Sequence, residues 1–163
     1  MISLSKDSFF EKFPISLSGE SYKDNRGRLT WGNARYVFSE SKRNVFRGLH
    51  IDPRYFDSSN FNQVKTIVII EGSIDEYILC LDEESDDYQK VFTCSLSCGD
   101  SFSVPNGYAH GFYALTCCKM LYLIEGSSDI YLNESYTTIA LNDSLLGRNV
   151  EISSRDLNAK IIV

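Results

Sequence analysis

Histidine is almost missing from this sequence: His50 and His110 are the only two among 163 residues. No HxH pair occurs, so a site built on a dense imidazole cluster is excluded. Positive charge is short as well. With 16 Lys and Arg against 22 Asp and Glu the net charge is -6, which opposes non-specific attachment to phosphate backbones, because such binding needs clustered basic side chains. No nucleic-acid partner is predicted, and an anionic ligand has to be held by a local basic site. No apolar run reaches the roughly 18 residues that a membrane helix needs. The opening MISLSKDSFFEKF lacks a basic segment leading into an apolar one. No membrane partner is predicted, and a cytoplasmic location is expected. The five cysteines are odd in number, and the adjacent Cys117 and Cys118 are hard to bridge to one another, which favours free thiols in a reducing compartment. Cys94 and Cys98 lack the second Cys or His pair of a zinc site and are read as packing residues.

What is present is strand. A chain of this length suits one domain, over residues 1–163. Short β-branched or aromatic runs, often alternating, occur at RYVF (35–38), VKTIVII (64–70), SIDEYILCL (73–81), KVFTCSL (90–96), SFSVP (101–105), GFYALT (111–116) and KMLYLIE (119–125). Clusters of Gly, Asn, Asp, Ser and Pro separate them, which predicts an all-β sandwich or barrel. Helix is predicted only over KDSFFEKF, capped by Ser5 or Asp7, with a short turn at SSRDLNA. The acidic run DEESDDY (82–88) lacks the glycine and ligand ladder of a calcium loop and reads as a solvated hairpin tip.

His50 follows Arg-Gly-Leu in RNVFRGLHID. Strand alternation would turn Arg47 and His50 to opposite faces unless a bulge at Gly48 intervenes, and a strand glycine beside a charge suggests close approach of a ligand. His110 follows a Pro105–Gly107 turn at the start of another strand. In a small barrel the inward positions share one cavity, so both histidines, Arg47 and Lys65 could converge there. Alone, Tyr122 would be a packing residue and Lys65 an exposed strand lysine.

The segments SKRNVFRGLHID, NQVKTIVIIEGSIDEYILCL, SVPNGYAHGF, KMLYLIE, LND and ISSRDLNA stand in the order, and at nearly the spacing, of the dTDP-4-dehydrorhamnose 3,5-epimerase family. The chain resembles that family over residues 22–160. The resemblance implies an all-β, cupin-type jelly-roll barrel with little helix, no metal and no cofactor. It also implies a nucleotide-diphosphate 4-keto sugar as substrate, and a homodimer with an exchanged N-terminal strand. By motif, His50 resembles the catalytic base and Asp156 its carboxylate partner. Tyr122 resembles the proton donor on the opposite face of the sugar, and Lys65 and Arg47 the groups beside the keto oxygen and the phosphates. His110 resembles the pocket histidine of the HGF motif, Arg26 a diphosphate contact, and Tyr131 a residue that stacks on sugar or base.

The chemistry suits those residue types. A C4 ketone acidifies the hydrogens on C3 and C5, since the carbanion delocalises as an enolate. A neutral imidazole can take that proton near pH 7, a phenol across the ring can return one, and an ammonium can hold the enolate oxygen. The implied activity is an isomerase that inverts C3, C5 or both of a 4-keto-6-deoxyhexose or 4-keto-heptose on dTDP or GDP, in surface polysaccharide biosynthesis.

Several positions depart from the family pattern. The segment between Arg26 and Arg47 is shorter, and Arg35 and Val37 stand for a usual Gln-x-Asn. Trp31 stands for an acidic residue, Cys80-Leu81-Asp82 for Asp-Leu-Arg, and three extra residues separate Tyr122 from Tyr131. These lie towards the nucleotide, which leaves its base open. Two other readings remain at this level: a metal-dependent cupin oxygenase or isomerase, separated by metal content, and a non-catalytic sugar-nucleotide binder, separated by turnover.

Overall fold

The computed structural model describes residues 1–32, 34–127, 137–139 and 150–158. In chain order these form β1 (Ile2–Ser3), α1 (Lys6–Lys12), β2 (Glu20–Asp24), β3 (Gly27–Trp31), β4 (Arg35–Ser41) and β5 (Val45–Ile51). Then come α2 (Arg54–Asp57), β6 (Gln63–Glu71), β7 (Ser73–Cys80), β8 (Val91–Ser97), β9 (Ser101–Val104) and β10 (Tyr108–Ala114). The last are β11 (Cys118–Gly126), β12 (Thr137–Ile139), β13 (Glu151–Ile152) and α3 (Ser154–Leu157).

The strands make two facing sheets. One has seven strands in the order β1-β8-β7-β10-β5-β12, with β13 added beside β5; the other has four, β4-β11-β6-β9. A first core cluster joins them, with Ile74, Ile78 and Phe92 from the larger sheet against Ile67, Met120 and Ile124 from the smaller. Helix α1 plugs this core with Phe9 and Phe13, both buried, against Phe102 and Phe92. Each ring so buried contributes about 1.5–3 kcal/mol. Ser5 caps the helix, its hydroxyl accepting from the Ser8 N–H at 3.3 Å, as the sequence predicts.

A second cluster lies on the outer face of the larger sheet, where Phe46, Leu49 and Ile51 meet Tyr77 and Leu79. β7 is therefore buried on both faces, which is why SIDEYILCL reads as a run and not as an alternation.

Several features differ from the sequence reading, among them α2, one helical turn inside a predicted turn cluster. The strand expected from Gly111 begins three residues earlier, at Tyr108, because the turn before it closes at Gly107, whose φ of +83° suits glycine. The strand expected to end at Phe38 continues to Ser41, in register with β11 as far as Cys118. Finally, β2 and β3 form a hairpin that the sequence does not announce, and it pairs with no other strand among the described residues.

Candidate active site

The site begins with an irregularity in the larger sheet. His110 of β10 stands opposite His50 of β5, but Phe112 stands opposite Arg47, so Gly48 and Leu49 together face the single residue Gly111. One extra residue on β5 breaks the two-residue period, and Arg47 and His50 consequently line one cavity. Gly111 permits this because the bulged backbone crosses it closely. A Cβ placed there would lie 2.5 Å from the Arg47 carbonyl oxygen and 2.6 Å from that of Gly48.

The cavity has a volume of about 720 Å³ and opens between the sheets. His50, His110, Arg47, Lys65, Tyr122 and Asp156 all line it. His50 and His110 come from the larger sheet and Lys65 and Tyr122 from the smaller, so imidazole and phenol stand on opposite walls. On the smaller sheet Lys65 pairs with Ile124 and Tyr122 with Ile67, making the amine and the phenol diagonal neighbours on one face.

Asp156 reaches His50 from 106 residues along the chain, with its Oδ1 3.2 Å from His50 Nε2. Its other oxygen accepts from the Gly48 N–H at 3.1 Å, and its own N–H donates to Ser153 Oγ at 3.1 Å, the N-cap of α3. Burial draws the Asp156 carboxyl upward, but hydrogen bonds from His50 and Gly48 outweigh it and hold the group below its ordinary value. An ionised carboxylate only accepts, so His50 Nε2 carries the hydrogen and Nδ1 is the nitrogen that can take a proton.

Behind this pair lie groups the sequence reading missed. Glu76 is wholly buried on β7, with Oε1 3.0 Å from His110 Nδ1. Asp52 is buried beside Arg54, which donates to it from its backbone N–H at 3.0 Å and from Nη2 at 2.7 Å. Lys65 is buried too, contrary to an exposed strand lysine, and burial pulls it down to about 8 against the fields of Asp52 and Glu76. Burial also pushes Glu76 well up, with Lys65 opposing. His110 is held well below its usual range, by burial first and then by Lys65 and His50. A signal for Glu76 exists in the sequence: it shares the two-residue frame of Ile74 and Ile78, where a carboxylate has no packing reason to be.

Arg47 spreads its guanidinium at the cavity wall, donating from Nε to Ser41 Oγ at 2.9 Å and from Nη2 to the Glu40 carbonyl at 3.1 Å. No carboxylate pairs with it among the described residues, which leaves its charge for an anionic ligand. Arg26 is not brought to the cavity. It is exposed in the β2–β3 hairpin and pairs with Asp24 at 2.6 Å. Tyr131 lies outside the described residues.

The sequence matches the model of the dTDP-4-dehydrorhamnose 3,5-epimerase family over residues 15–162. No curated protein sequence matches it. Among solved structures, the dTDP-4-dehydrorhamnose 3,5-epimerase of Elizabethkingia anophelis is similar at 25% identity and a TM-score of 0.65, covering 88% of this chain and 87% of that one. A dTDP-6-deoxy-D-glucose-3,5-epimerase of Legionella pneumophila, solved with dTDP-4-keto-L-rhamnose, is 24% identical with a TM-score of 0.64, covering 88% and 84%. A 3'-monoepimerase of Streptomyces bikiniensis, in complex with dTDP, is 19% identical with a TM-score of 0.63, covering 91% and 86%. The all-β, cupin-type jelly roll expected from the sequence is the fold of this chain. No described helix is long and apolar enough to cross a membrane.

Proposed function

The chain belongs to the dTDP-4-dehydrorhamnose 3,5-epimerase family of isomerases, and from that premise we propose that it inverts C3, C5 or both of a dTDP-linked 4-keto-6-deoxy sugar through an enolate. The observation that carries this reading is the His50–Asp156 pair on one wall of the cavity with Tyr122 on the other. His50 Nδ1 removes the proton from carbon, and the bonding pair moves onto the C4 oxygen. Lys65 holds that oxygen as its charge develops. Tyr122 then donates its phenolic proton to the opposite face of the carbon, and solvent exchange returns the tyrosinate and the imidazolium to their starting states. Arg47 takes the diphosphate. A GDP carrier or a heptose fits the same chemistry and belongs in the substrate panel, as does a role in surface polysaccharide synthesis.

Proton NMR of dTDP- and GDP-linked 4-keto sugars in deuterated water tests the reading. Enzyme-dependent loss of the C3 or C5 signal is expected, and its identity tells which centres are inverted. If no such sugar exchanges a proton, the epimerase reading fails.

Lys65 fixes the pH range of that activity. Its charge is needed as a cation, and a group brought down to about 8 loses its proton as the pH rises through that value. Turnover should therefore fall tenfold per pH unit above about 8. A profile level to about pH 10 would remove Lys65 from the enolate contact.

We further propose that the protein works as a homodimer. The outer face of the smaller sheet carries Tyr36 and Phe38, both exposed, in register with Leu123 and Leu121, and Phe38 continues through Leu121 to Val68. An uncovered apolar sheet face of this kind favours association, and the β2–β3 hairpin, which pairs with no other strand among the described residues, carries Arg26 away from its own cavity. Sedimentation equilibrium should give twice the chain mass, and the double variant Tyr36→Glu, Phe38→Glu should sediment as a monomer. A monomeric wild type would overturn the assignment.

A further inference from the structure

Glu76 is a buried carboxyl group that the mechanism above leaves unused. It is fully inaccessible, its Oε1 lies 3.0 Å from His110 Nδ1, and its Oε2 has no hydrogen-bond partner among the described residues. A sealed carboxylate anion needs donors on both oxygens to offset the loss of water. A neutral carboxylic acid needs much less: its O–H donates to one acceptor, and the remaining oxygen is an ordinary carbonyl. The partner offered is an imidazole nitrogen, which can be such an acceptor. The groups facing Glu76 are Lys65 from β6, His110 from β10 and Cys94, its cross-strand partner from β8. Of these only the Lys65 charge favours an ionised Glu76, and that ammonium also has Asp52 to face.

We propose that Glu76 is a positioning residue that stays protonated and donates to His110 Nδ1, so that His110 is locked with its hydrogen on Nε2 and offers that N–H to the cavity. His110 lines the same cavity as Lys65, from the other sheet, and lies within reach of the Lys65 charge. This deepens the epimerase reading and rests on it: the enolate oxygen then has two donors, an ammonium and a neutral imidazole N–H. A neutral imidazole matches an oxyanion as a donor without putting a second charge next to Lys65. The high proton affinity of the buried Glu76 and the low one of His110 agree with a single shared proton.

The test is a long-range proton–nitrogen NMR spectrum of 15N-labelled protein, which resolves the tautomer of each ring. Only two histidines exist, so His50→Asn leaves a single ring to assign. His110 should show a protonated Nε2 and an unprotonated Nδ1 from about pH 6 to about pH 8. A protonated Nδ1 with bare Nε2 in the wild type overturns the proposal. Glu76→Gln retains an N–H donor for Nδ1 and should keep the tautomer and most of the turnover. Glu76→Leu should mix the tautomers and lower kcat about 100-fold, with KM little changed. A folded Glu76→Gln as impaired as Glu76→Leu would also overturn it, since that result requires an anion. The tautomer is read on the wild type without substrate, so it is decided separately from whether any sugar exchanges its protons.

Discussion

His50→Asn should lower turnover by about 10²- to 10⁴-fold and abolish deuterium exchange at the carbon that the enzyme inverts. Asparagine ends near the position of Nδ1 and does not reach Asp156 as Nε2 does, but Asp156 keeps the Gly48 N–H, so the barrel should stay folded and melt only slightly lower. The loss would then be one of chemistry, not of folding. Asp156→Asn should also cost turnover heavily, because an amide no longer compels His50 to carry its hydrogen on Nε2. It should also loosen the bulge, since the carboxylate accepts the Gly48 N–H as well. The measurements are wash-out rates by proton NMR with circular-dichroism melts of both variants. Exchange at the wild-type rate in His50→Asn would move the base elsewhere in the cavity.

Gly111→Ala should be strongly damaging for a change of one methyl group. The added carbon meets the carbonyl oxygens of Arg47 and Gly48 at 2.5 and 2.6 Å, and both are backbone atoms of a paired strand. Nothing there can rotate away. Either the β5–β10 pairing opens or the extra residue is expelled, at about 3–5 kcal/mol. For a domain of this size that lowers the melting temperature by roughly 10 °C. Gly99→Ala is the comparison, because its φ of +92° strains alanine while nothing lies within 4 Å of the new carbon. About 1 kcal/mol is expected there. If both variants melt alike, the β5–β10 backbone gives way around the added carbon and the close approach at Gly111 costs little.

The parts of the fold legible in the sequence were those with one wet face. β4 and β11 alternate, and their runs stand where expected apart from their ends. β7, packed on both sides, reads as an apolar run, and its inner face is marked only by the frame that Glu76 shares with Ile74 and Ile78. Lys65, read alone as an exposed strand lysine, shares a frame with Ile67 and Ile69, and that frame is the local signal for its burial. The β2–β3 hairpin, exposed along β2, has no packing period to read. The bulge could be anticipated at Gly48, but its mate Gly111 could not, because the requirement comes from another strand's carbonyl groups. The family motifs supplied the meeting of His50 with Asp156, which no local pattern announces.

That separation has a consequence in time. The two members of the pair are 106 residues apart, and a ribosome adding about 5–20 residues per second leaves His50 without its carboxylate for roughly 5–20 s. The strand that carries the histidine is also bordered by β12 and β13, both made late. A half-made chain therefore holds an imidazole that nothing orients and a sheet edge that nothing covers. Reactive competence and protection from edge-to-edge association arrive together, with the segment that carries β12, β13 and Asp156.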